Sequence, residues 1–178
     1  MDVIVTPIRP GAGVLVRGPF SRLCTLGRAG VRRDKREGDG ATPVGRFALR
    51  RLLYRPDRFS APPATRLACL PIGPDDGWCD EPMDPSYNRQ VKLPYPARAE
   101  RLWRDDGLYD LVVVLGHNDD PPRVGAGSAI FLHVARDDGG PTEGCVGLAR
   151  ADLLGLLAAV DPRDCLEVRC APGAPAEA

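Results

Sequence analysis

Ala129-Ile130-Phe131-Leu132-His133-Val134 and, one short loop later, Pro141-Thr142-Glu143-Gly144-Cys145-Val146-Gly147-Leu148 are the stretches on which the reading of this chain turns. The first is apolar on both faces, the signature of a buried strand. Side chains alternate along a strand, so His133 shares its side with Phe131 and Ala135 and belongs at the edge of the core. Cys145 follows Gly144, which suits a tight turn. The chain has only 2 histidines, and one of them lies a loop away from this thiol. A thiol on a glycine turn with an imidazole nearby is what cysteine acyl transfer requires. The thiolate attacks, the imidazole moves the proton, and backbone N–H groups of Cys145 and Gly144 can hold the oxyanion. The same residues also fit a structural thiol beside a core histidine, because cysteine is among the most buried residue types.

Outward from this pair, short runs rich in Val, Ile and Leu are punctuated by Gly, Pro and Asp. They predict strands near Val3–Thr6, Val14–Val16, Arg22–Leu26, Gly45–Leu53, Arg66–Leu70, Asp110–Gly116, Ala129–Ala135 and Cys165–Cys170. Leu111-Val112-Val113-Val114-Leu115 reads as a central, fully buried strand. One helix is predicted over residues 151–160, stopping at Asp161-Pro162. A shorter one is predicted near Ala97 to Trp103. The fold class is therefore mainly β, with one or two short helices. Residues 54–96 are crowded with proline and read as an irregular, ordered flap. It either walls a substrate cleft or is a packed surface excursion. A single domain over 1–170 is expected, with 171–178 a disordered tail.

Lysine plus arginine and aspartate plus glutamate are 24 each. No net field recruits nucleic acid or an anionic membrane, and neither is an expected partner. The basic run Arg32-Arg33-Asp34-Lys35-Arg36 is either a solvated loop or a contact for substrate carboxylates. The 6 cysteines form no tight pairs, so no metal site or other cofactor is expected and most thiols read as reduced. Cys165 and Cys170, an odd distance apart on one predicted strand, should face opposite sides. Met1 to Pro7 is too short an apolar run for a signal peptide, and no stretch approaches the ~20 apolar residues of a membrane span. A cytoplasmic location is expected; a trimmed export signal would make it periplasmic.

The two segments resemble the L,D-transpeptidase catalytic domain, the YkuD family. Its members carry a strand-borne histidine, a variable loop and a Ser/Thr-His-Gly-Cys turn. Here these are Phe131-Leu132-His133, the loop from Arg136 to Pro141, and Thr142-Glu143-Gly144-Cys145-Val146. A further family segment, Thr-Pro-x-Gly-x-Phe, stands as Thr42-Pro43-Val44-Gly45-Arg46-Phe47, after Asp39-Gly40. The likeness covers most of the chain and has the form of a leaderless branch with Thr-Glu-Gly-Cys. It implies a curved β-sheet or sandwich, with Cys145, His133 and Gly144 as the catalytic residues. The implied substrate is a peptidoglycan stem tetrapeptide or muropeptide, cut before its terminal D-alanine through a thioester on Cys145. Water as the acceptor makes an L,D-carboxypeptidase of muropeptide recycling, the favoured reading. An amine acceptor makes an L,D-transpeptidase.

There are departures from the family pattern. Glu143 replaces the second histidine, and Gly147 stands where many members place arginine or asparagine. Close to a thiolate, a carboxylate disfavours the nucleophile, so Glu143 is expected to be paired with a cation if it faces the site. Thr142, Glu143 and His117 are candidate substrate contacts, and His117 is the alternative base. Arg46 and Arg150 are candidates for a substrate carboxylate, which the arginine fork matches. Two other classes stay open: a cysteine hydrolase acting on an unrelated amide, and a non-catalytic muropeptide-binding module. An acidic, reactive thiol would favour an enzyme and uniform inertness the module.

Overall fold

A computed structural model describes residues 1–170. β1 (Val3–Arg9), β2 (Ala12–Arg17) and β3 (Phe20–Thr25) form an antiparallel meander. Pro7 does not end β1. The strand continues through it with a register shift between Pro7 and Arg9, an irregularity that accommodates a residue without an N–H. β4 (Val31–Arg32) and β5 (Thr42–Pro43) pair in parallel, and β6 (Gly45–Tyr54) re-enters the main sheet. β7 (Cys69–Pro71) runs parallel to the end of β6. β8 (Asp76–Cys79), β9 (Gln90–Lys92) and β10 (Ala99–Arg101) make a separate 3-stranded sheet. β11 (Leu111–Leu115), β12 (Phe131–Val134), β13 (Val146–Leu148), helix α1 (Arg150–Ala159) and β14 (Cys165–Val168) complete the chain as described.

The large sheet has 9 strands in the order β11-β12-β13-β3-β2-β1-β14-β6-β7, and β6 also pairs with β11. That extra pairing joins the two ends, so every strand but β7 belongs to one closed, barrel-like sheet. The protein is mainly β, as the strand punctuation implied.

The all-apolar β11 is explained by two cores. Leu111, Val113 and Leu115 face the barrel interior, where they meet Leu132 of β12, Val146 and Leu148 of β13, and Leu153, Leu156 and Leu157 of α1. Val112 and Val114 face outward and pack with Phe131, Trp78, Leu102, Tyr109 and Cys145. The small sheet covers this outer face, and alternation along β12 puts Phe131 and His133 on the same side.

Several predicted elements are corrected. No helix forms near Ala97 to Trp103: Glu100 pairs with Trp78 across β10 and β8. Residues 54–96 are largely irregular, as expected, but also supply three short strands, β7, β8 and β9. The strand predicted from Arg66 begins only at Cys69, and Cys170 lies beyond the end of β14. The expected tail, 171–178, lies outside the described residues. All 6 cysteines are free.

Candidate active site

Thr142, Gly144 and Cys145 form a turn knotted by its own hydrogen bonds. Thr142 Oγ1 donates to Cys145 O at 2.7 Å and accepts the Gly144 N–H at 3.2 Å. The backbone of Thr142 bridges to Gly27, and Thr42 Oγ1 also donates to Cys145 O, at 3.3 Å. Gly144 sits at φ +141°, and a Cβ there would come within 2.9 Å of Ala41 O. Both facts select glycine. The Gly144 N–H, expected at an oxyanion, is thus turned onto Thr142 in the resting state.

Cys145 is 9 % exposed. Its Sγ donates to Ala129 O at 3.2 Å and accepts the Phe131 N–H at 3.4 Å. Ala129 is held at φ +52° by the small sheet's connecting segment, where Asn88 Oδ1 accepts both the Ala129 N–H and Trp78 Nε1–H. His133 is opposite Gly147 in the parallel β12–β13 pair. Its Nδ1 lies 2.8 Å from Val134 O. A carbonyl only accepts, so Nδ1 carries the proton and Nε2 keeps its lone pair as a base. The ring stands edge-on to Tyr109, centroids 5.3 Å apart, and Tyr109 Oη donates to Glu100 Oε1 at 2.7 Å.

Burial sets the charge state of both groups. It pushes the Cys145 thiol up to about 12, with the nearby Glu100 carboxylate acting in the same direction. It pushes the His133 imidazole down to about 4. The resting pair is a neutral thiol and a neutral imidazole, not a preformed thiolate. Slow alkylation at neutral pH is therefore expected even of an enzyme, and the thiol-reactivity criterion loses its force.

Cys145 and His133 line one cleft of about 510 Å³. The small sheet and the segment after it contribute Asp80, Arg98, Glu100 and Arg104 to the wall, and the loop before β5 contributes Lys35 and Glu37. Glu37 ties the wall together by accepting from Tyr87 Oη and from Ser128 Oγ.

The family model of the L,D-transpeptidase catalytic domain, YkuD, matches residues 9–168. The chain belongs to the YkuD family. No curated protein and no solved structure matched it. YkuD domains are cysteine-dependent L,D-transpeptidase domains that act on peptidoglycan peptides.

Within this YkuD domain the predicted residues separate into two groups. Cys145, His133, Thr142 and Glu143 share the cleft. Glu143 is 76 % exposed and paired with Arg28 at 2.9 Å. The others are engaged elsewhere. His117 Nε2 lies 2.9 Å from Ala126 O, and its ring packs on Phe47. Arg46 is paired with Asp2. Arg150 is paired with Asp110 and lines a neighbouring cavity. Gly147 has no room for an arginine, since a Cβ would come within 2.3 Å of Thr25 Oγ1. Lys35, Glu37, Asn88, Glu100, Arg104 and Tyr109 were not picked out individually from the sequence. Only the run through Lys35 carried a signal, as a charge cluster.

Proposed function

We infer that this YkuD-family protein is an L,D-carboxypeptidase of soluble peptidoglycan fragments. His133 Nε2 takes the thiol proton as Cys145 Sγ attacks the carbonyl before the terminal D-alanine. The S–C bond forms, the C–N bond breaks, and the proton passes from the imidazole to the departing amine. Water then attacks the thioester, His133 accepts its proton, and the thiol is restored as the tripeptide acid leaves. The carrying observation is the shared cleft. Cys145 and His133, both buried, line one volume of about 510 Å³, within the range of small-ligand sites. The small sheet and its flanks supply Asp80, Arg98 and Glu100 to the same wall. Such a site suits a short free peptide more than polymerised wall. The same reading places the protein in the cytoplasm, where returning fragments are trimmed; recovery of the native protein in a periplasmic fraction would contradict that part.

One observation favours an amine acceptor instead. A second cavity, lined by Asp105, Asp106, Asp110, Asp137 and Asp138, shares Leu108 and Arg136 with the cleft. Arginines pair with Asp106, Asp110 and Asp138, but Asp105 and Asp137 leave the lining, five aspartates against Arg58, Arg136 and Arg150, net negative, which would draw a cationic amine towards the thioester. Incubation with tetrapeptide, with and without added D-amino acid or a second stem peptide, separates the two. Tripeptide and D-alanine as main products support the carboxypeptidase. Exchange or dimer products in excess of tripeptide support the transpeptidase and overturn the first reading.

A further inference from the structure

Lys35 is unlike the other cations of the cleft. Its side chain is 6 % exposed, whereas Arg98, Arg104 and Arg136 are more open and paired with Asp80, Asp106 and Asp138. Burying an ammonium is unfavourable unless its charge and its donors are met. Asp39 meets the charge of Lys35, but the donors of the ammonium are met incompletely. Nζ donates to Asp39 Oδ1 and, at 2.9 Å, to Arg36 O. An ammonium has three N–H groups, so these two partners leave one for a ligand in the cleft that Lys35 lines. Asp39 also accepts the Arg36 and Ala41 N–H groups, each at 2.9 Å, which fixes the carboxylate and with it the ammonium.

The loop that carries Lys35 is also the seat of the cysteine turn. Ala41 O is the atom that a Cβ on Gly144 would meet, and Thr42 Oγ1 donates to Cys145 O. The ammonium is thereby held in a fixed relation to the thiol, and its field at Cys145 opposes the effect of burial.

We propose that Lys35 is a specificity-determining residue whose remaining N–H binds a carboxylate of the peptide substrate and so sets the adjoining amide over Cys145. This rests on the peptide-substrate reading above. The carboxylate is either the terminal one or one carried along the stem; both present the same oxygens. Calorimetric titration of Cys145→Ala protein, which removes the thiol from the comparison, tests it. The ligands are the tetrapeptide and analogues in which one carboxylate at a time is a primary amide. One analogue should bind about tenfold or more weakly, the worth of a charge-assisted hydrogen bond. That analogue identifies the carboxylate. Adding Lys35→Met should bring the parent peptide down to the same affinity and leave that analogue unchanged. Lys35→Met/Asp39→Asn, which leaves no unpaired buried carboxylate, should behave alike, with melting temperatures reporting that both fold. Parent affinity unchanged without Lys35, or discrimination that persists without it, overturns the assignment alone. A tetrapeptide that does not bind the Cys145→Ala protein at all overturns the substrate reading and this assignment with it.

Discussion

The two faces of β11 and β12 run along the same few residues and do different work. Inward, Leu111, Val113, Leu115 and Leu132 pack into the apolar barrel core. Outward, Val112, Val114 and Phe131 share a core with Trp78, Tyr109 and Cys145, and His133 stands on the same face. The inner face supplies stability. The outer face, covered by the small sheet, uses the same burial to fix the charge states of groups that react. Apolar packing there is part of the chemistry, because it keeps thiol and imidazole neutral until a substrate arrives.

Cysteine substitution breaks this contrast most sharply. Cys145→Ala should reduce tetrapeptide turnover to background, while Cys24→Ala, on the inner face, should keep its rate per folded molecule. Near wild-type rates in Cys145→Ala would remove the mechanism. Next is the base. His133→Ala should lower kcat by roughly 10²–10⁴-fold, as for a positioned acid–base group, and His117→Ala should do less. The reverse order would move the base to His117.

The pH dependence of stability sharpens the contrast further. His133 titrates near 6.5 when unfolded and at about 4 in the fold. Between those values the unfolded chain binds a proton that the folded one refuses. Stability is fully present above pH 6.5 and is lost as pH falls through 4, by roughly 3 kcal/mol. Unfolding free energies from urea titrations should fall further between pH 7 and pH 4 in wild type than in His133→Gln by that increment; equal falls would contradict it. The smallest effect concerns the cover. Asn88→Ala strands the Trp78 and Ala129 N–H groups and should destabilise by about 1–3 kcal/mol, read as a shift in the urea midpoint. No shift would mean that the small sheet does not anchor the outer face.

The barrel was legible where burial writes a pattern. β6, β11 and α1 stand close to their predicted bounds, and β12 falls within its longer predicted range, because their apolar residues keep the strand or helix period. β13 was not read because Val146-Gly147-Leu148 is only a few residues long and gains its partners from distant segments, β12 in parallel and β3 antiparallel. Ala97 to Trp103 contains good helix formers, yet edge pairing of Glu100 with Trp78 overrode that preference. In the site, Cys145 and His133 were visible from one turn and one strand. Glu100, Arg104 and Tyr109 were not, because nothing local marks a side chain that reaches the cleft only through tertiary packing. Arg46 and Arg150 have the right chemistry for a carboxylate, but their partners Asp2 and Asp110 are distant in sequence and could not be foreseen.

Intact-protein and peptide mass spectrometry of the enzyme during reaction with the tetrapeptide tests the central claim most directly. The account predicts a tripeptidyl adduct on the peptide containing Cys145, its disappearance in Cys145→Ala, and tripeptide and D-alanine accumulating in solution. Turnover with no adduct at Cys145, or an adduct on another residue that persists in Cys145→Ala, would contradict it.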